Sequence, residues 1–159
     1  MTFDSFINPL EKRGTYSAIK FSKESVETLI NKINDLQIPN PIDKEDIHCT
    51  LIYSRKYLPY YEATTPMKFE FPISCGDLDL FGENRNILVL KLNSKILTFR
   101  HNEIMSDYSG VYDYDEYIPH ITLSYDVGNF DISSIKAAFK NIKLKSQIEY
   151  SEPLDLSDK

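Results

Sequence analysis

The sequence has no tryptophan, only two cysteines and three histidines, and no apolar run approaching the length of a bilayer span. Each shortage removes a class of function. Without tryptophan, any aromatic platform must be made from tyrosine or phenylalanine. Cys49 and Cys75 are too few and too isolated for a disulfide framework or a cysteine zinc site, so both are expected to be reduced and buried. The absence of an apolar span argues against a membrane protein. The opening Met-Thr-Phe-Asp-Ser-Phe lacks the basic-then-apolar profile of a secretory leader. Work in a cytosol is therefore expected. Positive charge is also scarce: 18 Lys and Arg stand against 24 Asp and Glu, a net charge of −6. A protein that tracks a long nucleic-acid backbone needs a basic face to displace counterions, and no such run is present. A phosphate-bearing ligand would be small and gripped locally.

What is present is the composition of an ordinary globular domain, 42% apolar and 26% charged. Residues 1–159 are expected to form a single domain, large enough to bury a core. Within it a six-residue phrase occurs twice. Residues 48–53 read His-Cys-Thr-Leu-Ile-Tyr, and 72 positions later residues 120–125 read His-Ile-Thr-Leu-Ser-Tyr. By composition, a given His is followed by x-Thr-Leu-x-Tyr roughly a few times in ten thousand, so two occurrences are a signal.

The element pattern frames the two phrases. After an irregular opening over 1–14, residues 15–21 alternate as a strand. Ser22 offers a helix cap, and Val26, Leu29, Ile30, Ile33 and Leu36 follow at helical spacing until Pro39 and Pro41. The first phrase sits in a strand over 47–54, followed by a loop over 55–66. Strands are expected at 67–75 and 86–92, joined by a turn-rich stretch over 76–85 around Gly76 and Gly82. A helix over 94–106 and a loop over 107–119 lead into the second phrase, a strand over 120–126. Asp131 or Ser133 caps a predicted third helix with the stripe Ile135, Ala138, Phe139 and Ile142. A last strand covers about 143–150, and 151–159 reads as a loose tail or flap. This order predicts an α+β fold: two pseudo-symmetric lobes of mainly antiparallel strands with packing helices, and a central cleft carrying both His-x-Thr strands.

Alternate side chains of a strand share a face. His48 and Thr50 therefore point together, as do His120 and Thr122. Cys49, Leu51 and Tyr53 point the other way with Ile121, Leu123 and Tyr125, as an apolar anchor. Two imidazoles in one cleft can divide proton acceptance and proton donation near neutral pH, and threonine hydroxyls can steady a phosphoryl oxygen. That set suits transphosphorylation at a ribose 2′-OH. Paired histidines could also bind zinc, but no acidic or cysteine third ligand stands at conventional spacing. Cys49 faces away from His48 and reads as packing. His101 lacks a partner phrase and reads as structural. Tyrosines within 57–61 and 108–117 could stack on bases from a rim, although most tyrosines read as structural.

Two His-x-Thr phrases in a small α+β domain resemble the 2H phosphoesterase superfamily, at His48/Thr50 and His120/Thr122. Within it the chain is most similar to the tailed-phage anti-CBASS cyclic-oligonucleotide phosphodiesterases. The supporting stretches are Gly14-Thr15-Tyr16-Ser17, His-Cys-Thr-Leu, Tyr-Ile-Pro-His-Ile-Thr-Leu-Ser-Tyr at 117–125, and Ile148-Glu149-Tyr150. The resemblance implies cleavage of 3′-5′ bonds in cyclic di- or trinucleotide immune signals such as 3′,3′-cyclic GMP-AMP, with neither metal nor cofactor. It implies action in the host bacterial cytoplasm, letting a phage evade CBASS defence. It assigns Tyr16 and Glu149 to the nucleotide pocket, and Phe81 is a further candidate for stacking. No long nucleic acid or membrane partner is implied, and a monomer is expected. An RNA 2′,3′-cyclic phosphodiesterase of RNA-end processing and a non-catalytic cyclic-nucleotide sponge are the alternatives.

Overall fold

A computed structural model of the chain describes residues 13–59, 61, 70–108, 110–111 and 116–155. Two serine caps start its helices. The Ser22 hydroxyl accepts from the Ser25 N–H ahead of α1 (Lys23–Asp35), and the Ser94 hydroxyl accepts from the Leu97 N–H ahead of α2 (Lys95–Asp107). Each satisfies one of the donors that a first helical turn leaves open. Leu29 and Ile33 of α1, and Leu97, His101 and Ile104 of α2, are buried at helical spacing.

Six strands complete the described fold: β1 (Arg13–Phe21), β2 (Cys49–Ser54), β3 (Pro72–Phe81), β4 (Ile87–Asn93), β5 (His120–Ser124) and β6 (Lys143–Asp155). Every neighbouring pair is antiparallel, and the strands close in the order β1-β2-β5-β4-β3-β6. Exchanging β1 with β4, β2 with β5 and β3 with β6 maps every neighbour relation onto another. The described elements thus run β-α-β-β twice over. The two described α-helices begin and end 72 residues apart, the same spacing as the repeated phrases. Strands β6-β1-β2 form one lobe and β5-β4-β3 the other, so each half of the chain lends its third strand to the opposite lobe.

The pseudo-symmetry extends to irregularities. Between β1 and β2 the register steps from Ser17↔Ile52 to Ala18↔Thr50, leaving Leu51 as the extra residue. Between β4 and β5 it steps from Leu88↔Ser124 to Val89↔Thr122, leaving Leu123 extra. The leucine of each phrase is therefore a bulge residue, which turns two consecutive side chains inward. Leu51 and Ile52 are both fully buried, as are Leu123 and Ser124. The bulge carbonyls find other donors: His101 Nδ1–H donates to Leu51 O at 2.6 Å, and the Ile42 N–H donates to Leu123 O at 2.8 Å. Gly14 permits the tight approach of β1 to the end of β2, because a Cβ there would lie 2.1 Å from the Ser54 carbonyl.

The structure corrects several sequence expectations. Tyr53 does not anchor the core: the bulge at Leu51 returns it to the Thr50 side, where its ring lies 6.2 Å from Tyr16. Tyr125 falls beyond β5 and is 60% exposed. The stretch 76–81 is strand rather than connection, with Gly76 and Asp77 at a register step of β3. The expected third helix is a run of tight turns, in which the N–H groups of Ile135, Ala138, Lys140 and Ile142 each reach three residues back. An α-helix would have claimed the Lys136 carbonyl for Lys140; here that carbonyl accepts from the Leu78 N–H at 2.9 Å and seats the segment on the β3 step. Residues 151–155 continue β6 rather than hanging loose. The rest of the proposed flap, 156–159, lies outside the described residues, as does most of the 55–66 loop beyond Tyr61.

Candidate active site

The two lobes meet along β2 and β5 at the pair Cys49↔Ile121. Both side chains are fully buried. Continuing that antiparallel count outward sets His48 opposite Thr122 and Thr50 opposite His120. Parity then puts all four side chains on the face opposite Cys49 and Ile121, and all four are half-buried. The 49–121 pair lies on the pseudo-two-fold axis, with one imidazole and one hydroxyl to each side. Next to the threonines stand Ala18 and Val89, opposite Thr50 and Thr122. Both are fully buried, yet neither joins the main hydrophobic cluster. They supply an apolar floor.

Both imidazoles are held in the same way. His48 Nδ1 lies 2.6 Å from the Asp46 carbonyl, and His120 Nδ1 lies 2.7 Å from the Ile118 carbonyl, in each case two residues upstream. A carbonyl only accepts, so Nδ1 carries the proton in both rings. That leaves Nε2 to take or give a proton. His120 has its pKa lowered, chiefly by burial and further by the nearby His48 ring, against the opposing pull of the Ile118 carbonyl. The neutral form of His120 is thus favoured.

The surroundings of the two imidazoles differ. On the His48 side, the Tyr16 hydroxyl shares a hydrogen bond with Thr50 Oγ1 at 3.1 Å, and its ring lies 6.3 Å from His48 and 6.2 Å from Tyr150. Burial pushes the Tyr16 phenol well above its ordinary value. On the His120 side, the Phe81 and His120 rings meet edge to face with their centres 5.0 Å apart. Beyond it Asp79 pairs with Arg85 at 3.4 Å and Lys91 at 3.6 Å. The structure therefore brings Tyr16 and Phe81 to the two histidines, one to each. Tyr53 and Tyr150 were not singled out as site residues by the sequence. Their signal is positional only: they share the Tyr16 face once the bulge and the β1–β6 register are known.

Glu149 lies elsewhere. It is 2% exposed and registered against buried Ile19, on the face opposite Tyr150. Arg100 of α2 donates to both carboxylate oxygens, at 2.8 and 2.9 Å, and the Tyr61 hydroxyl donates at 2.6 Å. Glu149 thus braces α2 against β6. Tyr61 itself is 7% exposed and bonded inward, rather than standing on a rim.

Behind the first phrase lies a second internal network. The rings of His101 and Tyr117 stack at 4.1 Å, and the Tyr117 hydroxyl donates to the Thr50 carbonyl at 2.7 Å. Burial lowers the His101 pKa, which suits a neutral ring donating to the Leu51 bulge. Tyr117 thus ties the approach to His120 back onto the first phrase. Cys49 is buried beside it, its thiol pushed up to about 11 by burial, and is packing rather than nucleophile. Tyr60, Tyr112 and Tyr114 lie outside the described residues.

The fold has known counterparts. Solved structures of E. coli LigT share the architecture: the complex with phosphate aligns at TM-score 0.58 and 16% identity, covering 90% of this chain and 87% of that one. A structure described simply as a phosphoesterase aligns equally well, at TM-score 0.58 over 89% of this chain and 88% of its own. Sequence relatives are closer. The anti-CBASS protein Acb1 of Salmonella phage S16 is 37% identical over 145 residues, 91% of this chain and 90% of its own length. That of Enterobacteria phage T4 is 37% identical over 145 residues, 90% of each. Residues 13–159 match the family described as anti-CBASS protein Acb1, and the chain belongs to that family, on a 2H phosphoesterase-like fold.

Proposed function

We propose that this protein is a phage anti-CBASS phosphodiesterase that opens cyclic di- and trinucleotide signals at 3′-5′ bonds without a metal. The observation that carries this reading is the matched presentation of two imidazoles: each gives Nδ1–H to a carbonyl two residues upstream and so turns Nε2 outward beside a threonine. A phosphodiester on the axis between His48, Thr122, Thr50 and His120 would have a proton acceptor on one side and a donor on the other. His120, favoured as the neutral ring, takes the proton of the ribose 2′-OH. The 2′-oxygen attacks phosphorus, the bond to the 5′-oxygen breaks, and His48 as imidazolium protonates that leaving oxygen. The product end is a 2′,3′-cyclic phosphate, which water can open with the two roles exchanged. Thr50 and Thr122 donate to the non-bridging oxygens as charge builds there. Tyr16 and Phe81 give ring surfaces to bases on either side. The protein acts as a monomer in the host cytoplasm.

The test is chromatography after denaturation. A stoichiometric amount of protein is incubated with 3′,3′-cyclic GMP-AMP, and separately with a short RNA ending in a 2′,3′-cyclic phosphate, each with and without EDTA. Linearised dinucleotide in both arms of the first incubation is expected. Intact dinucleotide released on denaturation would mean a sponge, opening of the RNA end alone would mean RNA-end processing, and loss with EDTA would overturn the metal-free mechanism.

A further inference from the structure

The pseudo-two-fold relation carries a second matched pair that the repeated phrase does not contain. Lys91 of β4 is registered opposite His120. On β1, Ile19 is opposite Cys49, so one step further Lys20 comes opposite His48. Lys20 and Lys91 are thus equivalents, 71 residues apart, each across from one imidazole and both half-buried. Their positions are fixed by equivalent neighbours. Lys20 Nζ donates to the Glu45 carbonyl at 2.7 Å and lies 5.8 Å from the centre of the Tyr150 ring. Glu45 belongs to the 3₁₀ turn Lys44–Asp46, whose Asp46 carbonyl holds His48. Lys91 Nζ lies 3.6 Å from Asp79 Oδ2. Tyr150 and Asp79 are themselves equivalents, registered opposite Ala18 and Val89.

The proton transfers assigned to the two imidazoles need neither lysine. The repetition of these lysines in a chain of net charge −6 calls for a ligand with negative charge to each side of the reacting centre. We propose that Lys20 and Lys91 bind the phosphates that flank the scissile one, each on its own side of the axis. This rests on the phosphodiesterase reading and specifies its substrate. A cyclic trinucleotide has one further phosphate on either side of the broken bond and engages both lysines; a cyclic dinucleotide has one further phosphate and engages one at a time. Lys20 is held by a neutral carbonyl and a ring face, whereas Lys91 shares its charge with Asp79. Lys20 therefore contributes more.

The test is steady-state kinetics of Lys20→Ala, Lys91→Ala and the double variant on 3′,3′-cyclic GMP-AMP and on cyclic triadenylate, with Lys→Arg variants alongside. Loss of a charge-assisted contact is expected to raise KM about tenfold for Lys20→Ala and less for Lys91→Ala, with kcat held within about threefold. The slope of log KM against log salt should fall by about 0.7 per lysine removed. Arginine should restore both quantities, melting temperatures should not move, and the double variant should lose more on the trinucleotide than on the dinucleotide. An unchanged KM and salt slope would overturn the proposal. So would a fall in kcat with KM unmoved, which would place the lysines at the scissile group. Failure of the underlying reading looks different: the unaltered protein would turn over neither nucleotide. Calorimetric binding of the same nucleotides then decides, lost affinity supporting the lysine assignment and unchanged affinity ending it.

Discussion

His48 and His120 occupy equivalent backbone positions in unlike surroundings. The first stands beside Tyr16, in a group of tyrosines completed by Tyr53 and Tyr150. The second meets the edge of Phe81, with the charged cluster of Asp79, Arg85 and Lys91 beyond. The repeated backbone, with its matched bulges and Nδ1 anchors, delivers two copies of the same reactive unit. The side chains around them, which are not repeated, can separate the copies into acid and base and can give each lobe its own ligand surface. In the proposed reaction a symmetric frame supplies the chemistry, and its asymmetric lining supplies the roles.

If both units act on one phosphorus, removing either imidazole should be nearly as costly as removing both. His48→Ala and His120→Ala are each expected to lower turnover of 3′,3′-cyclic GMP-AMP by about a thousandfold or more, with binding largely kept. Single-turnover chromatography and calorimetry check the two halves of that statement. Next in size is a change with no direct part in the chemistry. Glu149→Ala leaves Arg100 buried without its main partner and should destabilise the fold by about 3 kcal/mol, read from denaturant unfolding. A variant that folds as stably as the parent but loses discrimination between bases would place Glu149 in the nucleotide pocket.

The threonines come third. Thr50→Val or Thr122→Val is expected to cost about a hundredfold in kcat if each hydroxyl donates to the developing charge. Tyr16→Phe sharpens the contrast between lobes, because it strips the partner of Thr50 and leaves Thr122 untouched. Its loss should be about tenfold or less, and should vanish in a Thr50→Val background. The smallest effect is on pH. Because burial lowers the His120 pKa, the base form persists below the ordinary imidazole range, and kcat/KM should fall only as pH drops through that lowered value. Phe81→Ala admits water to the ring and should move the acid limb upward, toward about 6.5. An acid limb that stays fixed would remove His120 from the role of base.

The sequence made the frame legible where the physics is local. Ser22 announces the first helix through its hydroxyl, and strand parity brings His48 to Thr50 and His120 to Thr122. It failed where a tertiary partner decides. The extra residue at Leu51 is stable because His101 of α2 reaches its carbonyl, and that bulge reverses the direction of Tyr53. The stripe Ile135, Ala138, Phe139 and Ile142 satisfies a helix as well as it satisfies a run of turns, and the Lys136 contact with Leu78 selects the turns. Glu149 looks like any polar strand residue until Arg100 and Tyr61 close on it. Lys20 and Lys91 escape notice because their spacing is 71 while the phrases repeat at 72, the second half carrying one more residue between its lysine and its helix.

The most direct test of the central claim is a double-mutant cycle of His48→Ala and His120→Ala, read as the rate of 3′,3′-cyclic GMP-AMP opening under single-turnover conditions. Two imidazoles serving one phosphorus predict a double variant no slower than about threefold below either single variant. Losses that multiply, or substantial turnover surviving in either single variant, would show that the two histidines do not share one reaction centre.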